Sequence, residues 1–381
     1  LGAPGLETQM LVPQILESIP GEFRRVILVL MDALALKRLQ RWMVDGAAPV
    51  WQDLIHQGIL APITSISPST TCAALTALWT GRPAAQHGIT GYEMWMKEYG
   101  VIANMILHTP ITFRNDAGSL ERAGFEPEKY LPFPTLAEHL GQHGIHTYAL
   151  QHHSIAHSGL SKMLLKQADI HTFSTAADLW INLRKMIEQK PEQRSYSWVY
   201  WSEVDHFSHL FGPDDERTAA EFSQFSRAMQ QFFLERLSPA LRKDTLLILT
   251  ADHGQITTHL DPSYELRRYP ELLRRLYMNP TGENRLAFFY PKPGELEAVR
   301  DDITSIWPGK FSVLDSHLAA EAGLFGPGKH HPDLQDRIGE LIAVSHQDAY
   351  FWWADKENPL VGRHGGLHPD EMLVPFLAAR L

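Results

Sequence analysis

Cysteine is almost missing from this chain: one residue, Cys72, in 381. That excludes a disulfide framework and any metal site built on several thiolates. If a metal is bound, imidazole and carboxylate must hold it, and 20 histidines are available for the task. A basic excess is also missing. Lys and Arg number 34 against 44 Asp and Glu, a formal net charge of −10, which argues against nucleic acid as a stable partner. Leu1–Pro20 shows no basic segment followed by an apolar run. This favours a cytoplasmic chain, although a leader removed before Leu1 stays open. Gly58–Gly81 is free of charge over nearly a bilayer's thickness, but Pro62, Pro68 and a Ser/Thr cluster interrupt it. It reads as a loop entering a buried helix, not as a membrane span.

What is present is an ordinary globular composition, 44% hydrophobic and 20% charged, with ample material for a core. Short apolar runs alternate with amphipathic stretches, the pattern of an α/β fold. Arg25-Val-Ile-Leu-Val-Leu-Met31 and Leu246-Leu-Ile-Leu-Thr250 are continuous apolar runs, as expected of parallel strands buried on both faces. Trp198-Val-Tyr-Trp201 reads as a third strand. Helices are expected at Cys72–Trp79 and Phe222–Leu237. The texture changes between 262 and 350, with strands expected at Leu286–Tyr290 and Phe311–Leu314 and a helix between them. This stretch reads as a small α+β subdomain inserted in a single catalytic domain spanning 1–381. Ala349–Trp353 and Met372–Leu377 are expected to return to the main core.

Each of the three strands is followed by a carboxylate: Asp32, Asp252 and, after a short gap, Asp205. Ligands of open α/β sheets gather at the carboxyl ends of strands. Around these positions lie Ser69-Thr70-Thr71, Asp205-His-Phe-Ser-His209, Asp252-His253-Gly254 and His364-Gly-Gly366. Taken alone, each has a plain structural reading. Asp32 fits a turn or helix cap, the Thr pair fits a cap, and the Asp205/His209 spacing fits a solvated helix face. Asp252-His253-Gly254 is harder to explain away, since two metal-ligand types end a strand together. Their joint occurrence, in one order, favours a common site.

That order, with Pro68-Ser-Thr-Thr71 and Gly362-Arg-His-Gly365, resembles the alkaline phosphatase superfamily, and within it the type I phosphodiesterase/nucleotide pyrophosphatase family, from about Arg24 to Leu381. The resemblance implies an alkaline-phosphatase-like three-layer sandwich around a mostly parallel sheet. It implies two divalent ions, zinc or else manganese. Asp205, His209 and His364 would hold one; Asp32, Asp252, His253 and the Thr71 hydroxyl would hold the other. It implies Thr71 as the nucleophile of a phosphodiesterase working through a covalent phosphothreonine, with a small phosphoester as substrate. Phosphomonoesters and phosphonates are handled elsewhere in the superfamily and form the alternative activity. A silent member that only binds metal or ligand is the alternative of another class.

Several neighbours compete with these residues. Thr70 and Ser69 are expected to cap the helix, His206 to line the pocket, and His368 to lie at the surface or pocket rim. Arg82 and Arg363 are candidates for a phosphate clamp. Tyr92, Trp95 and Tyr99 would stack a base or leaving group, or else pack as a helix face or lid. Cys72 precedes Thr80-Gly-Arg82, as a sulfatase nucleophile would. However, it is followed by Ala73-Ala74-Leu75 rather than a sulfatase motif, so it reads as a helix core residue.

Overall fold

The computed structural model describes residues 1–4, 13–19, 21–113 and 116–381. Its central sheet has seven strands in the order Gly58–Thr64, Leu373–Arg380, Thr245–Thr250, Arg25–Met31, Ser195–Trp201, His146–His152 and Asp169–Phe173. Arg25–Met31 pairs in parallel with both neighbours. Only Leu373–Arg380 runs against its neighbours. Alternate residues of the central strand feed two cores. Ile27, Val29 and Met31 pack with Trp42, Trp51, Trp180, Phe222 and Phe225 on one face. Leu30 packs with Leu75, Trp79, Leu160 and Met163 on the other. Both faces are therefore covered by helices, which explains why the parallel strands are apolar throughout rather than alternating. The result is the expected three-layer α/β sandwich.

Register decides where the chemistry goes. Arg25 stands level with Ser195 and Thr245, and Met31 with Trp201. Three adjacent parallel strands thus end together, and the Asp32 N–H bonds the Trp201 carbonyl at 3.0 Å. Asp32, Asp205 and Asp252 follow at one edge of the sheet.

The charge-free segment 58–81 divides into an edge strand, a loop and the helix Thr71–Thr80. No described helix is long and apolar enough to cross a membrane. A second sheet, antiparallel, takes Thr281–Glu283, Leu286–Phe289, Phe311–Asp315 and Leu341–Ser345 from the later region. It takes Glu93–Met96, Val101–Asn104 and Thr109–Pro110 from the earlier one. Its face against the helix Leu296–Ile306 buries Tyr350, Phe351 and Trp352. The expectation that Ala349–Trp353 rejoins the main core is therefore corrected. Its aromatics close the second sheet, Phe351 packing on Trp307 and Phe311 and Tyr350 on Tyr264.

Candidate active site

Thr71 opens the helix Thr71–Thr80, whose N-cap position is Thr70. The hydroxyl therefore sits where the unsatisfied amides and the helix dipole favour an anion. Its Oγ1 lies 3.2 Å from Nε2 of His253. Asp205 falls in the first turn of the helix Glu203–Phe211 and His209 one turn later. His209 Nε2 is 3.4 Å from Asp205 Oδ1. His364 arrives from the far end of the chain. The short ladder Ile256↔Arg363 lays the 362–364 segment beside the one following Asp252-His253. Ser69 stitches the same segment to the nucleophile loop, its hydroxyl donating to Gly366 O at 2.7 Å and accepting from Gly365 N at 3.2 Å. Gly365 has φ +106°, and a Cβ there would meet the Glu283 Cβ at 2.4 Å, so the turn needs glycine.

All seven residues expected at the site converge. Two groups can each hold an ion: Asp205, His209 and His364, and Asp32, Asp252 and His253, the ligand atoms within each lying within 4.8 Å of one another. The three imidazoles share one arrangement. Nδ1–H of His209 donates to Gly362 O at 2.9 Å, that of His253 to Gly254 O at 2.9 Å, and that of His364 to Ser69 O at 3.1 Å. A carbonyl can only accept, so each Nδ1 carries a proton, which leaves Nε2 as the nitrogen each ring can offer to an ion.

The electrostatics suit a cation. Asp32 and Asp252 are 2% exposed. Asp252 Oδ1 accepts from Ala33 N and His253 N, and the Tyr200 hydroxyl donates to Asp32 Oδ2. Asp32 Oδ1 and Asp252 Oδ2 are buried with no hydrogen-bond partner among the described residues. Burial, then the charges of Asp252 and Asp205, push the Asp32 carboxyl well above its usual range. Burial, with His253 and His209 beside it, drives His364 well below the usual imidazole value, so it stays neutral. Buried carboxylate oxygens without donors, facing imidazole Nε2 atoms, are the donor set of a divalent ion.

The structure also brings in residues with no signal in the sequence. Tyr200 is one. Gln255 is another, fully buried, its amide donating to Asp205 Oδ1 at 2.8 Å. Glu283 is a third, reaching over from the second sheet to receive the Tyr92 N–H at 2.7 Å and the Thr70 side chain. Burial lifts its carboxyl to about 7. A pairing across two sheets leaves no spacing to read.

Several sequence expectations change. Thr70 occupies the N-cap without a side-chain cap bond, since its side chain serves Glu283. Ser69 is a loop stitch rather than a cap. His368 caps the helix Pro369–Met372, its Nδ1 accepting from Asp370 N at 3.1 Å. Neither arginine candidate clamps phosphate. Arg82 lies past the far end of the Thr71 helix, about 15 Å away at 1.5 Å per residue, bonded to Gln86. Arg363 is 1% exposed, lies over the Tyr350 ring and donates to Thr258, Leu360 and Asn358. Of the three aromatics, Tyr92 lines the site, Trp95 packs with the second sheet's core, and Tyr99 packs on Phe125. Cys72 is fully buried, as expected of a core residue, and burial pushes its thiol well up. His206 lines the pocket, as expected.

Solved structures of similar shape exist. Murine ectonucleotide pyrophosphatase/phosphodiesterase 5 matches with a TM-score of 0.68 at 18% identity, covering 93% of this chain and 87% of its own. An inactive threonine-to-alanine variant of that protein, in complex with AMP, matches with a TM-score of 0.68 at 18% identity, over 94% and 88%. Phosphonoacetate hydrolase from Sinorhizobium meliloti 1021, in complex with phosphonoformate, matches with a TM-score of 0.65 at 18% identity, over 93% and 89%. At this identity the likeness speaks for the fold. The family model described as type I phosphodiesterase / nucleotide pyrophosphatase matches residues 26–367. That span holds every residue gathered at the sheet edge, and the chain belongs to this family of hydrolases acting on phosphoric ester bonds.

Proposed function

We propose that the chain hydrolyses phosphodiesters in two displacements at phosphorus, with Thr71 as nucleophile. The observation that carries this reading is the position of Thr71 Oγ1, at a helix N-terminus and 3.2 Å from His253 Nε2. In the first step the Thr71 oxygen bonds to phosphorus, one ester P–O bond breaks and the alcohol leaves with a proton. In the second, water takes the place of the alcohol, the Thr71 O–P bond breaks, and a phosphomonoester is released. Two displacements give net retention of configuration. Asp205, His209 and His364 would hold one divalent ion, and Asp32, Asp252, His253 and Thr71 the other, zinc or manganese. Such ions, when bound, lower the pKa of a hydroxyl or a water and offset charge on the transferring group. The helix N-terminus orients the phosphoryl oxygens. Tyr200, Gln255 and the three backbone carbonyls hold the ligand side chains in place.

The loss of activity in the murine neighbour's threonine-to-alanine variant, which binds AMP, supports the role given to Thr71. The diester preference rests on the cations. Apart from Arg363, already engaged, Lys356 is the one described Lys or Arg lining the two cavities beside Thr71. A dianionic monoester would call for more positive charge. A substrate panel with zinc and with manganese tests the reading. Bis(4-nitrophenyl) phosphate should be cleaved faster than 4-nitrophenyl phosphate or phosphonoacetate. A much faster monoester or phosphonate reaction would overturn the diester assignment while leaving the site intact.

A further inference from the structure

Thr71 stands between two cavities. It lines both, together with Asp205, His206 and His209. One, about 390 Å³, leads past Tyr92 and Glu283 to Trp352, Lys356 and Arg363. The other, about 420 Å³, lies between the helices Thr71–Thr80 and Gly159–Leu164; Asp32, Thr71, Asp205 and His209 of the site line part of it, and the phosphoryl transfer makes no use of the apolar remainder. Leu75, Trp79, Leu160 and Leu164 line it, each at most 5% exposed. Of its buried polar side chains, Ser161 donates to Gln151 Oε1 at 3.0 Å. The Tyr200 hydroxyl is committed to Asp32, and Trp79 packs edge-on against Trp198. Among the described residues no Lys or Arg lines this cavity, and Glu203 does.

This lining selects by exclusion. A pyrophosphate or any second anionic group would face a carboxylate and no cation. An aliphatic chain needs no cation and gains by leaving water against Leu75, Trp79, Leu160 and Leu164. The volume suits on the order of ten heavy atoms at roughly 30 Å³ each, loosely packed.

We propose that this cavity receives an alkyl arm of the substrate, so that the preferred phosphodiester carries an uncharged aliphatic group on one ester oxygen. The proposal rests on the phosphodiesterase reading, and the test separates the two. With the zinc-loaded enzyme, kcat/KM would be measured for methyl and for hexyl 4-nitrophenyl phosphate. Each fully buried methylene is worth about fourfold, so even partial burial of five should favour hexyl by about 30-fold or more. Ile155, half-buried on the same wall, supplies the variant. Ile155→Glu should bring the ratio to within about threefold, whatever happens to the absolute rates, while Ile155→Leu should retain it. Inhibition of the wild type by hexylphosphonate, set against methylphosphonate, needs no variant and should show the same preference. Equal cleavage of both esters with equal inhibition by both phosphonates would overturn the alkyl assignment and leave the phosphodiesterase standing. So would a hexyl preference that survives Ile155→Glu in folded protein, because the arm would then lie elsewhere. Failure to cleave either ester would overturn both readings.

Discussion

The imidazoles of His253 and His364 stack with centroids 3.8 Å apart and planes 18° from parallel, yet the two residues belong to different ligand groups. The stack is a shared wall. One ring is fixed through Gly254 and the other through Ser69, so neither can turn without disturbing its neighbour. The ligand groups should behave as one cooperative unit. His253→Ala and His364→Ala should each lower metal content by more than one ion per chain, and the double variant should add little to either. Metal analysis after gel filtration gives the stoichiometry, and strictly independent loss of one ion per variant would contradict the coupling.

Thr71→Ala should lower phosphodiesterase activity by on the order of 10³-fold or more, the scale set by removing the nucleophile of a catalytic unit. Metal content should fall far less, because six Asp and His ligands remain. Thr71→Ser should recover part of the rate, since the hydroxyl is restored. Full activity in the alanine variant would remove Thr71 from the chemistry.

Gln255 tests the support around Asp205. Its amide donates to Asp205 Oδ1, and such supporting contacts are typically worth 10- to 100-fold in metal affinity. Gln255→Ala should therefore weaken binding by about that factor, while Gln255→Glu should be worse at neutral pH because it adds a carboxylate facing a carboxylate. Competition with a chelator measures both.

The His364 segment depends on a fully buried ion pair in which Arg285 Nε and Nη2 reach the Glu371 oxygens at 2.8 and 3.0 Å. Glu371 also accepts from Gly366 N and His368 N. Arg285→Met would leave that carboxylate buried without its cation, which costs about 3–5 kcal/mol. Urea unfolding should show the loss. The remaining folded protein should bind metal more weakly, because the loop carrying His364 is no longer held.

His87 gives the fold an acid sensitivity separate from the site. It is fully buried, its Nδ1 accepts from Ile89 N at 3.0 Å, and burial lowers it to about 3. Above pH 6.5 it is neutral both folded and unfolded and contributes no pH dependence. Below 6.5 the unfolded chain binds a proton that the folded one refuses, so stability falls as the pH falls toward 3. From 6.5 to 5 the loss is about 2 kcal/mol. His87→Asn keeps an acceptor and cannot titrate, so its urea midpoint should change less between pH 7 and pH 5 than that of the wild type.

Much of the site can be read along the chain because the residues proposed as ligands sit on or just after regular elements. Asp32 and Asp252 each follow an apolar run, and Asp205 and His209 are one helical turn apart, so local periodicity predicts strand ends and a shared face. The nearly thiol-free composition had already reduced the ligand chemistry to carboxylate and imidazole. Tertiary structure alone decided the remainder. It brought Glu283 to Thr70 by extending one antiparallel sheet from residues 93–110 to 281–345, and it turned Arg363 from a phosphate candidate into a buried support. It set the tautomer of three histidines through carbonyls at positions 69, 254 and 362. It also opened an apolar cavity beside Thr71, where two helices packed on the same face of the sheet leave space between them. The physical reason is the same in each case. Residue type and period act over one or two turns, whereas burial and hydrogen-bond partners depend on which distant segments the sheet register and the loop stitching bring together.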